Sequence, residues 1–388
     1  MSQWLLALNV GSSSVKFAAF PLAPGPEILR GALTDVGANA QLMIKRAGAV
    51  SAGSSCGALA ADLPSAIGHA INGVFSCLDR SALAGVGHRI VHGGAEFIEP
   101  ALLTTETLAA LHLLEPLAPL HQPASLAAID LVARRASGVP QFGCFDTAFH
   151  ATQPRLNRIF ALPRALEERG LRRYGFHGLS YEHVAQVMRQ RYGGGGRAVA
   201  AHLGAGASLC ALKDGVSVAT SMGMTPLGGV PMATRPGDLD PGAIVFLLET
   251  LAMSASQVRD MFYFRSGLLG LSAESGDMQT LLASTRPEAA EAVSFYVESV
   301  QREIASMAAA LGGLDTLVFT AGVGANAPAI RARIGAACAW LGVHIDPALN
   351  QTNAGEIQAP ASAVRVLVAP ADEEAVIAGH IRRLLTTE

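Results

Sequence analysis

Charge is scarce in this chain. Of its 388 residues only 15% are Asp, Glu, Lys or Arg, and the two signs nearly cancel, leaving a net charge of -3 at pH 7. There is no basic tract and no stripe of basic residues interleaved with aromatics, which excludes the usual nucleic-acid-binding surfaces. Cysteine is sparse too. The five cysteines, at 56, 77, 144, 210 and 338, are far apart and form no Cys-x-x-Cys. An odd, scattered set fits buried thiols in a reducing compartment rather than disulfides or a zinc site. The amino terminus lacks the basic start and small-residue cleavage site of a signal peptide. The longest uncharged run, 215–234, contains Pro226, Gly228, Gly229 and Pro231, so it cannot serve as a membrane helix. Together these absences predict a cytoplasmic protein with no nucleic-acid and no membrane partner.

What is present is a large apolar content. Half the residues are hydrophobic, and the length exceeds what one core usually serves, so two domains are expected. The start of the chain reads as strand, turn, strand over 5–20, with weak strand signals continuing to about 55. A helix is predicted near 63–78, a short strand over Arg89 to His92, helix over 104–135 with a break at 116–123, and a buried strand in 139–150. Ser180 is placed to cap a helix with apolar Tyr181, Val184, Ala185 and Met188, stopped by the glycines at 193–196. Asp240-Pro241 fits a cap followed by a first-turn proline, and "SASQ" (254–257) a capping box. Val293, Tyr296, Val297, Val300, Ile304, Met307, Ala308 and Leu311 form one stripe of a long helix ended by Gly312-Gly313. "VRVLVAP" (364–370) reads as a strand, with Asp372 opening the last helix. Strands mixed with helices indicate an α/β fold.

One internal echo stands out. "LLALNVGSSSVKFAAF" (5–20) is matched by "AVAAHLGAGASLCALKDG" (198–215): an apolar run, a glycine, small residues, a second apolar run. The spacing from Gly11 to Gly204 is half the chain, which suggests a duplicated domain. Small residues at such turns let backbone N–H groups approach an anion closely. Neither turn fits the Walker pattern. A third small-residue stretch, "TAGVGANAP" (320–328), is read as a loop that follows the strand "DTLVF" and precedes a helix, where ligands often bind in α/β folds. Three such turns indicate a nucleotide site. The cations that could meet phosphate or carboxylate are Arg89 in "GHRIVHGG" and Arg235 in "MATRPGDLDPG", since a guanidinium clamps either group with parallel bonds. Asp146 in "CFDTAFH" and His177 in "YGFHGLS" gain meaning only as members of that set.

The set resembles the acetokinase family of short-chain carboxylate kinases. The matching stretches are "NVGSSSVKF", "GHRIVHGG", "APLHQPASL", "FDTAFH", "YGFHGLSYEHV", "HLGAGASLCAL", "TPLGGVPMATRPGDLDPG", "FTAGVGANAPAIR" and "PADEEAVIA", in family order over nearly the whole chain. The resemblance implies the duplicated two-domain α/β fold of actin, Hsp70 and sugar kinases (ribonuclease H-like), with the active site in the interdomain cleft. It implies domains of 1–150 plus the C-terminal helix 372–388, and 151–371. The implied reaction is reversible, Mg²⁺-dependent in-line transfer from ATP to acetate, giving ADP and acetyl phosphate; Mn²⁺ is the second candidate metal. Arg89, His121, Asp146, His177 and Arg235 would be catalytic. Asn9 and Glu373 would anchor the metal. Ser12, Ser14, Lys16, His202, Leu203, Gly204, Ala205 and Gly206 would lie along the phosphates. Asp277, Met278, Gln279, Gly322, Val323, Gly324, Ala325 and Asn326 would lie near the nucleoside. Arg89, Val91, Leu120, Phe176 and Pro226 would form the acid's pocket. A homodimer through the second domain is also implied.

The chain departs from the family's pattern at Ala205 for Asn, Ala325 for Glu, Gln279 for Arg, Gln122 for Asn and Gly228 for an acidic residue. Most of these lie on the nucleotide side and bear on ATP affinity and nucleotide choice more than on transfer. Propionate or butyrate kinase shares the same machinery, because one methylene changes binding by only about 1–3 kcal/mol. A catalytically weak nucleotide-binding regulator is the reading of another class.

Overall fold

The computed structural model describes residues 2–11, 14–37, 39–46, 49–50, 54–119 and 121–386. The chain forms two compact units, Met1–Ala148 with Asp372–Glu388, and Phe149–Ala371.

In the first unit β1 (Trp4–Val10) and β2 (Val15–Pro21) form an antiparallel hairpin, continued by β3 (Leu29–Thr34) and β4 (Gln41–Arg46). The short pieces β5 (Ala49–Val50) and β6 (Ser54–Ser55) pair with β4. On the other side β7 (Leu83–Ile90) lies parallel to β1. The edge piece β8 (Ala101–Leu102) pairs antiparallel with β9 (Gln141–Phe145), which lies parallel to β7. Every residue of β1 is buried, as its unbroken apolar run requires of a central strand covered on both faces. One face packs on helices Leu63–Cys77 and Gln122–Arg135 through Leu6, Leu8, Phe17, Ile67, Ile71 and Val132. The other takes helix Glu373–Thr386: a Cβ on Gly87 would sit 2.4 Å from Ile377 Cγ2, so the helix lies against bare backbone.

The second unit repeats the plan. Strands β10 (Arg197–Leu203), β11 (Ala207–Lys213) and β12 (Val216–Thr220) form an antiparallel meander, and β13 (Thr316–Thr320) and β14 (Arg365–Val368) add in parallel beside β10. The orders β3-β2-β1-β7-β9 and β12-β11-β10-β13-β14 are the same in sequence and direction. The echo around Gly11 and Gly204 therefore marks the equivalent hairpin turn in each sheet, closed by Gly11 N–H to Ser14 O at 2.8 Å and Gly204 N–H to Gly206 O at 3.1 Å. Helix Pro287–Leu311 buries the expected stripe from Val293 to Ala308 against the second sheet, leaves Leu311 half-buried, and ends on left-handed Gly312. The capping box at Ser254 and the Asp240 cap before Pro241 form as read.

Three local expectations are corrected. The strand expected at Arg89 to His92 ends at Ile90, where pairing with β9 stops at Phe145; the buried Gln122 side chain holds the His92 backbone instead. The helix expected to be capped by Ser180 opens at Gly178, with His177 as its cap residue, because the Ser180 hydroxyl is drawn to His202 Nδ1 at 2.8 Å. The stretch 320–328 is not a loop. Its small residues coil straight into helix Ala321–Asn326, and Pro328 starts the next helix.

Candidate active site

In the first unit the C-terminal ends of the three parallel strands β1, β7 and β9 deliver Asn9, Arg89 and Asp146, the edge at which open α/β sheets place ligands. Asp146 is fully buried and accepts from Arg89 Nε at 3.0 Å and from Nη2 at 2.6 Å. Arg89 Nη1 donates to Asn9 Oδ1 at 3.0 Å. The Asn9 amide nitrogen donates to Glu373 Oε2 at 2.7 Å and to Glu374 Oε1 at 3.2 Å. Glu373 Oε2 also stands 3.8 Å from Arg89 Nε. Burial works against the charge on Arg89, but Asp146 and then Glu373 outweigh it and hold the guanidinium above its usual value. A guanidinium has five N–H donors, and three of them are committed to described residues here. Lys16 is exposed and lies directly across the hairpin from Asn9. Val91 is buried just past β7, and His121 precedes helix Gln122–Arg135 as its cap residue. Ser12 and Leu120 fall outside the described residues; Ser14 is described and closes the turn from Gly11.

In the second unit His177 takes a left-handed backbone, φ 59 and ψ 26, at the start of helix Gly178–Tyr192. Such a conformation costs a non-glycine residue about 1–2 kcal/mol and is worth reading for function. It directs the imidazole onto β10 and β11. Nδ1 meets Ser208 Oγ at 2.8 Å, Ser208 meets the Tyr181 hydroxyl at 2.5 Å, and the ring stacks on His202 with centroids 4.0 Å apart. A Cβ on Gly206 would lie 3.3 Å from His177 Nε2 and 3.8 Å from Arg235 Nη1. A bare backbone thus stands where an imidazole and a guanidinium meet. Arg235 Nη1 donates to the Pro226 carbonyl at 3.0 Å. Its loop is pinned by the backbone: Ser266, Leu268 and Leu269 N–H groups donate to Thr234, Met232 and Ala233 carbonyls, each at 2.9 Å. Gly267 permits this at φ +60, since a Cβ there would sit 2.2 Å from Met232 O. Phe176 and Pro226 are buried in this unit.

The nucleotide candidates are partly gathered. A cavity of about 200 Å³ is lined by Gly204, Ala205, Ala233, Leu268, Gly276, Asp277, Met278, Tyr296 and Val323. Asp277 caps helix Met278–Ala283 by accepting from Thr280 N at 2.9 Å. Gln279 is exposed and outside the lining. In helix Ala321–Asn326, Gly322 and Asn326 face out, while Gly324 and Ala325 are buried. Leu203 is fully buried in β10. Four supporting residues escaped the sequence reading. Tyr181 and Ser208 orient His177; the fully buried Arg331 ties the Gly324 carbonyl to Asn350 at 2.9 and 2.8 Å; Tyr296 walls the cavity. Tyr181 alone had a signal, its place four residues after His177 at the spacing of helical neighbours.

The carboxylates of Asp146 and Glu373, beside the Arg89 guanidinium, are hard oxygen donors of the kind Mg²⁺ takes, one or two at a time with water completing its shell. Among the described residues no group of three or more His, Cys, Asp or Glu is arranged as a full metal cage. The Asn9 oxygen accepts from Arg89, and its amide nitrogen donates to Glu373, a carboxylate that could hold the metal.

A family model described as the acetokinase family matches residues 4–379. An acetate kinase of Rhodopseudomonas palustris is 45% identical, covering 99% of each chain. One of Rhizobium meliloti is 43% identical, covering 98% of each. Among solved structures, a propionate kinase from Francisella tularensis has a TM-score of 0.90 at 31% identity, covering 97% of this chain and 98% of its own. An acetate kinase from Porphyromonas gingivalis has a TM-score of 0.85 at 33% identity, covering 99% of this chain and 100% of its own. With the family's model matched over nearly its whole length, this chain belongs to the acetokinase family.

Proposed function

We propose that the protein transfers the terminal phosphoryl of ATP to the carboxylate of a short-chain acid, acetate foremost, giving ADP and an acyl phosphate, and that it runs in both directions. The observation that carries this reading is the buried Arg89 guanidinium, held by Asp146 and Asn9 with three of its five N–H groups committed among the described residues. A carboxylate is ionised at neutral pH and needs no general base. The barrier lies in bringing an anion to a polyanion, and positioned cations lower it.

In this reading Arg89 takes the carboxylate and Arg235 the transferring phosphoryl. If Tyr181 donates to Ser208 and Ser208 to His177 Nδ1, the imidazole proton sits on Nε2 and is offered to an equatorial phosphoryl oxygen. His121 assists. The Gly204–Gly206 backbone runs along the phosphates with Ser14 and Lys16, and the cavity beside Val323, Asp277 and Met278 takes the nucleoside. Val91, Phe176 and Pro226 meet the acid's apolar end. Mg²⁺, or Mn²⁺ in its place, would be held by Glu373 and, through water, by Asp146, and would neutralise phosphate charge. The two units serve as the working domains. A homodimer through unit Phe149–Ala371 is supported by Val245, Phe246, Leu251, Phe264 and Phe295, each left about half exposed there. Five free thiols, four of them buried, support the cytoplasm as the compartment.

The test is a hydroxylamine trap for acyl phosphate, with ATP, Mg²⁺ and acetate, propionate or butyrate in parallel. Acetate should give the highest kcat/KM. The likeness to a propionate kinase makes propionate the second acid, and a maximum there would change the substrate while keeping the reaction. No product from any acid, with ATP still bound, would leave the weak nucleotide-binding regulator.

A further inference from the structure

A second arginine in the first unit belongs to no motif. Arg30 stands on β3, two strands from β1. Each of its nitrogens meets a different carboxylate: Nε donates to Glu27 Oε2 at 2.7 Å, Nη2 to Asp372 Oδ1 at 2.7 Å and Nη1 to Glu374 Oε2 at 2.8 Å. The other oxygen of Glu374 accepts from the Asn9 amide at 3.2 Å, and the same amide nitrogen donates to Glu373. Asn9 in turn accepts from Arg89, and Arg89 donates to Asp146. Hydrogen bonds therefore run without a gap from Arg30 through Glu374, Asn9 and Arg89 to Asp146.

Asp372, Glu373 and Glu374 are three acids in a row at the start of helix Glu373–Thr386. The helix N-terminus favours negative charge, but like charges this close repel. Glu374 is 5% exposed, so its carboxylate needs a partner to stay charged. Arg30 supplies one to Glu374 and one to Asp372, which leaves Glu373 to Asn9 and Arg89. The contact with Glu27 lies at the exposed end and contributes little. Burial opposes the charge on Arg30, yet Asp372 and Glu374 hold it above its usual value. Without Arg30, Glu374 keeps, among the described residues, the Asn9 amide as its hydrogen-bond donor and the nearby charge of Arg89, and it competes with Glu373 for that amide.

We propose that Arg30 is a positioning residue for phosphoryl transfer: by clamping Asp372 and Glu374 it fixes how Asn9 presents itself to Glu373 and Arg89. The inference rests on the transfer reading of Arg89 and Glu373. It is tested with Arg30→Ala, Arg30→Lys and Glu374→Gln in the full chain, by acyl-phosphate kinetics, by Mn²⁺ titration with ADP read by electron paramagnetic resonance, and by thermal melts.

Arg30→Ala should lower kcat roughly 10–100-fold and weaken Mn²⁺ by a similar factor, the usual scale for residues that hold ligating groups. The carboxylate KM should move less than about threefold, because Arg89 remains, and Arg30→Lys should restore little, because one ammonium lacks the planar fork that reaches Asp372 and Glu374 together. Arg30→Lys combined with Glu374→Gln should fall no further than the worse single variant. A kcat and Mn²⁺ affinity within about twofold of the parent would overturn the proposal, whatever the melting temperature, since only fold stability would then depend on Arg30. Full additivity of the double variant would overturn it as well. If Arg30→Ala fails to fold, the lysine and glutamine variants decide alone. A parent that makes no acyl phosphate while Arg30→Ala still loses Mn²⁺ would sink the transfer reading and keep the positioning role.

Discussion

Arg89→Lys separates the charge of Arg89 from its shape. The guanidinium reaches Asp146 through Nε and Nη2 and Asn9 through Nη1, three separate nitrogens in a fixed plane. A lysine ammonium has three N–H groups on one atom. It can keep the ion pair with the buried Asp146, so the carboxylate is not orphaned and the melting temperature should fall only modestly. It cannot also hold Asn9 and present aligned donors to a substrate. Losing one positioned donor to developing charge costs about 2.7–4 kcal/mol in comparable sites. At about 1.36 kcal/mol per decade, that is a fall in kcat of roughly 10²–10³. The assay is hydroxamate formation at saturating ATP and acid, with circular dichroism at the assay temperature as the control for folding. A lysine variant that keeps more than about a third of the parent kcat would refute the argument, because a point charge would then suffice.

Glu303 sets a pH dependence of stability. Burial, then the charge of Asp238, raises its carboxyl to about 7 from 4.5, with Arg173 pulling the other way. Between those values the folded chain keeps a proton that the unfolded chain has lost, so stability falls as pH rises and levels off above about 7. That rise sets a ceiling of about 3 kcal/mol. Glu303→Gln should therefore raise the melting temperature at pH 8 and much less at pH 5; equal gains at both would contradict this. Ala205 lines the cavity of about 200 Å³. Ala205→Asn should fill part of it and lower the KM for ATP severalfold with kcat little changed. An unchanged KM would show that the small residue at 205 does not govern nucleotide affinity.

Much of the fold was legible because it rests on local signals. The glycine echo gave the duplicated hairpins, and the stripe ending at Gly312 gave the long helix. What escaped depends on partners distant in sequence. Ser180 carries a good cap side chain, but His202, which claims it, lies on β10. The stretch 320–328 looks like a loop by composition, yet helix packing overrides that weak preference. Arg89 and Asp146 in one unit, and His177 and Arg235 in the other, could be singled out from their motifs. Arg30 could not, since its meaning comes from Asp372 and Glu374, more than 340 positions away. Tyr296 was read only as part of an apolar stripe; nothing in that spacing tells that it borders a cavity.

The central claim is that the acid's own carboxylate attacks phosphorus directly, with the protein supplying position and charge and no nucleophile of its own. The stereochemical course measures this. With ATP made chiral at the γ-phosphorus by oxygen isotopes and acetate as acceptor, one in-line displacement inverts the configuration in the acyl phosphate. The account predicts inversion; net retention would mean two displacements through a phosphorylated residue and would contradict it.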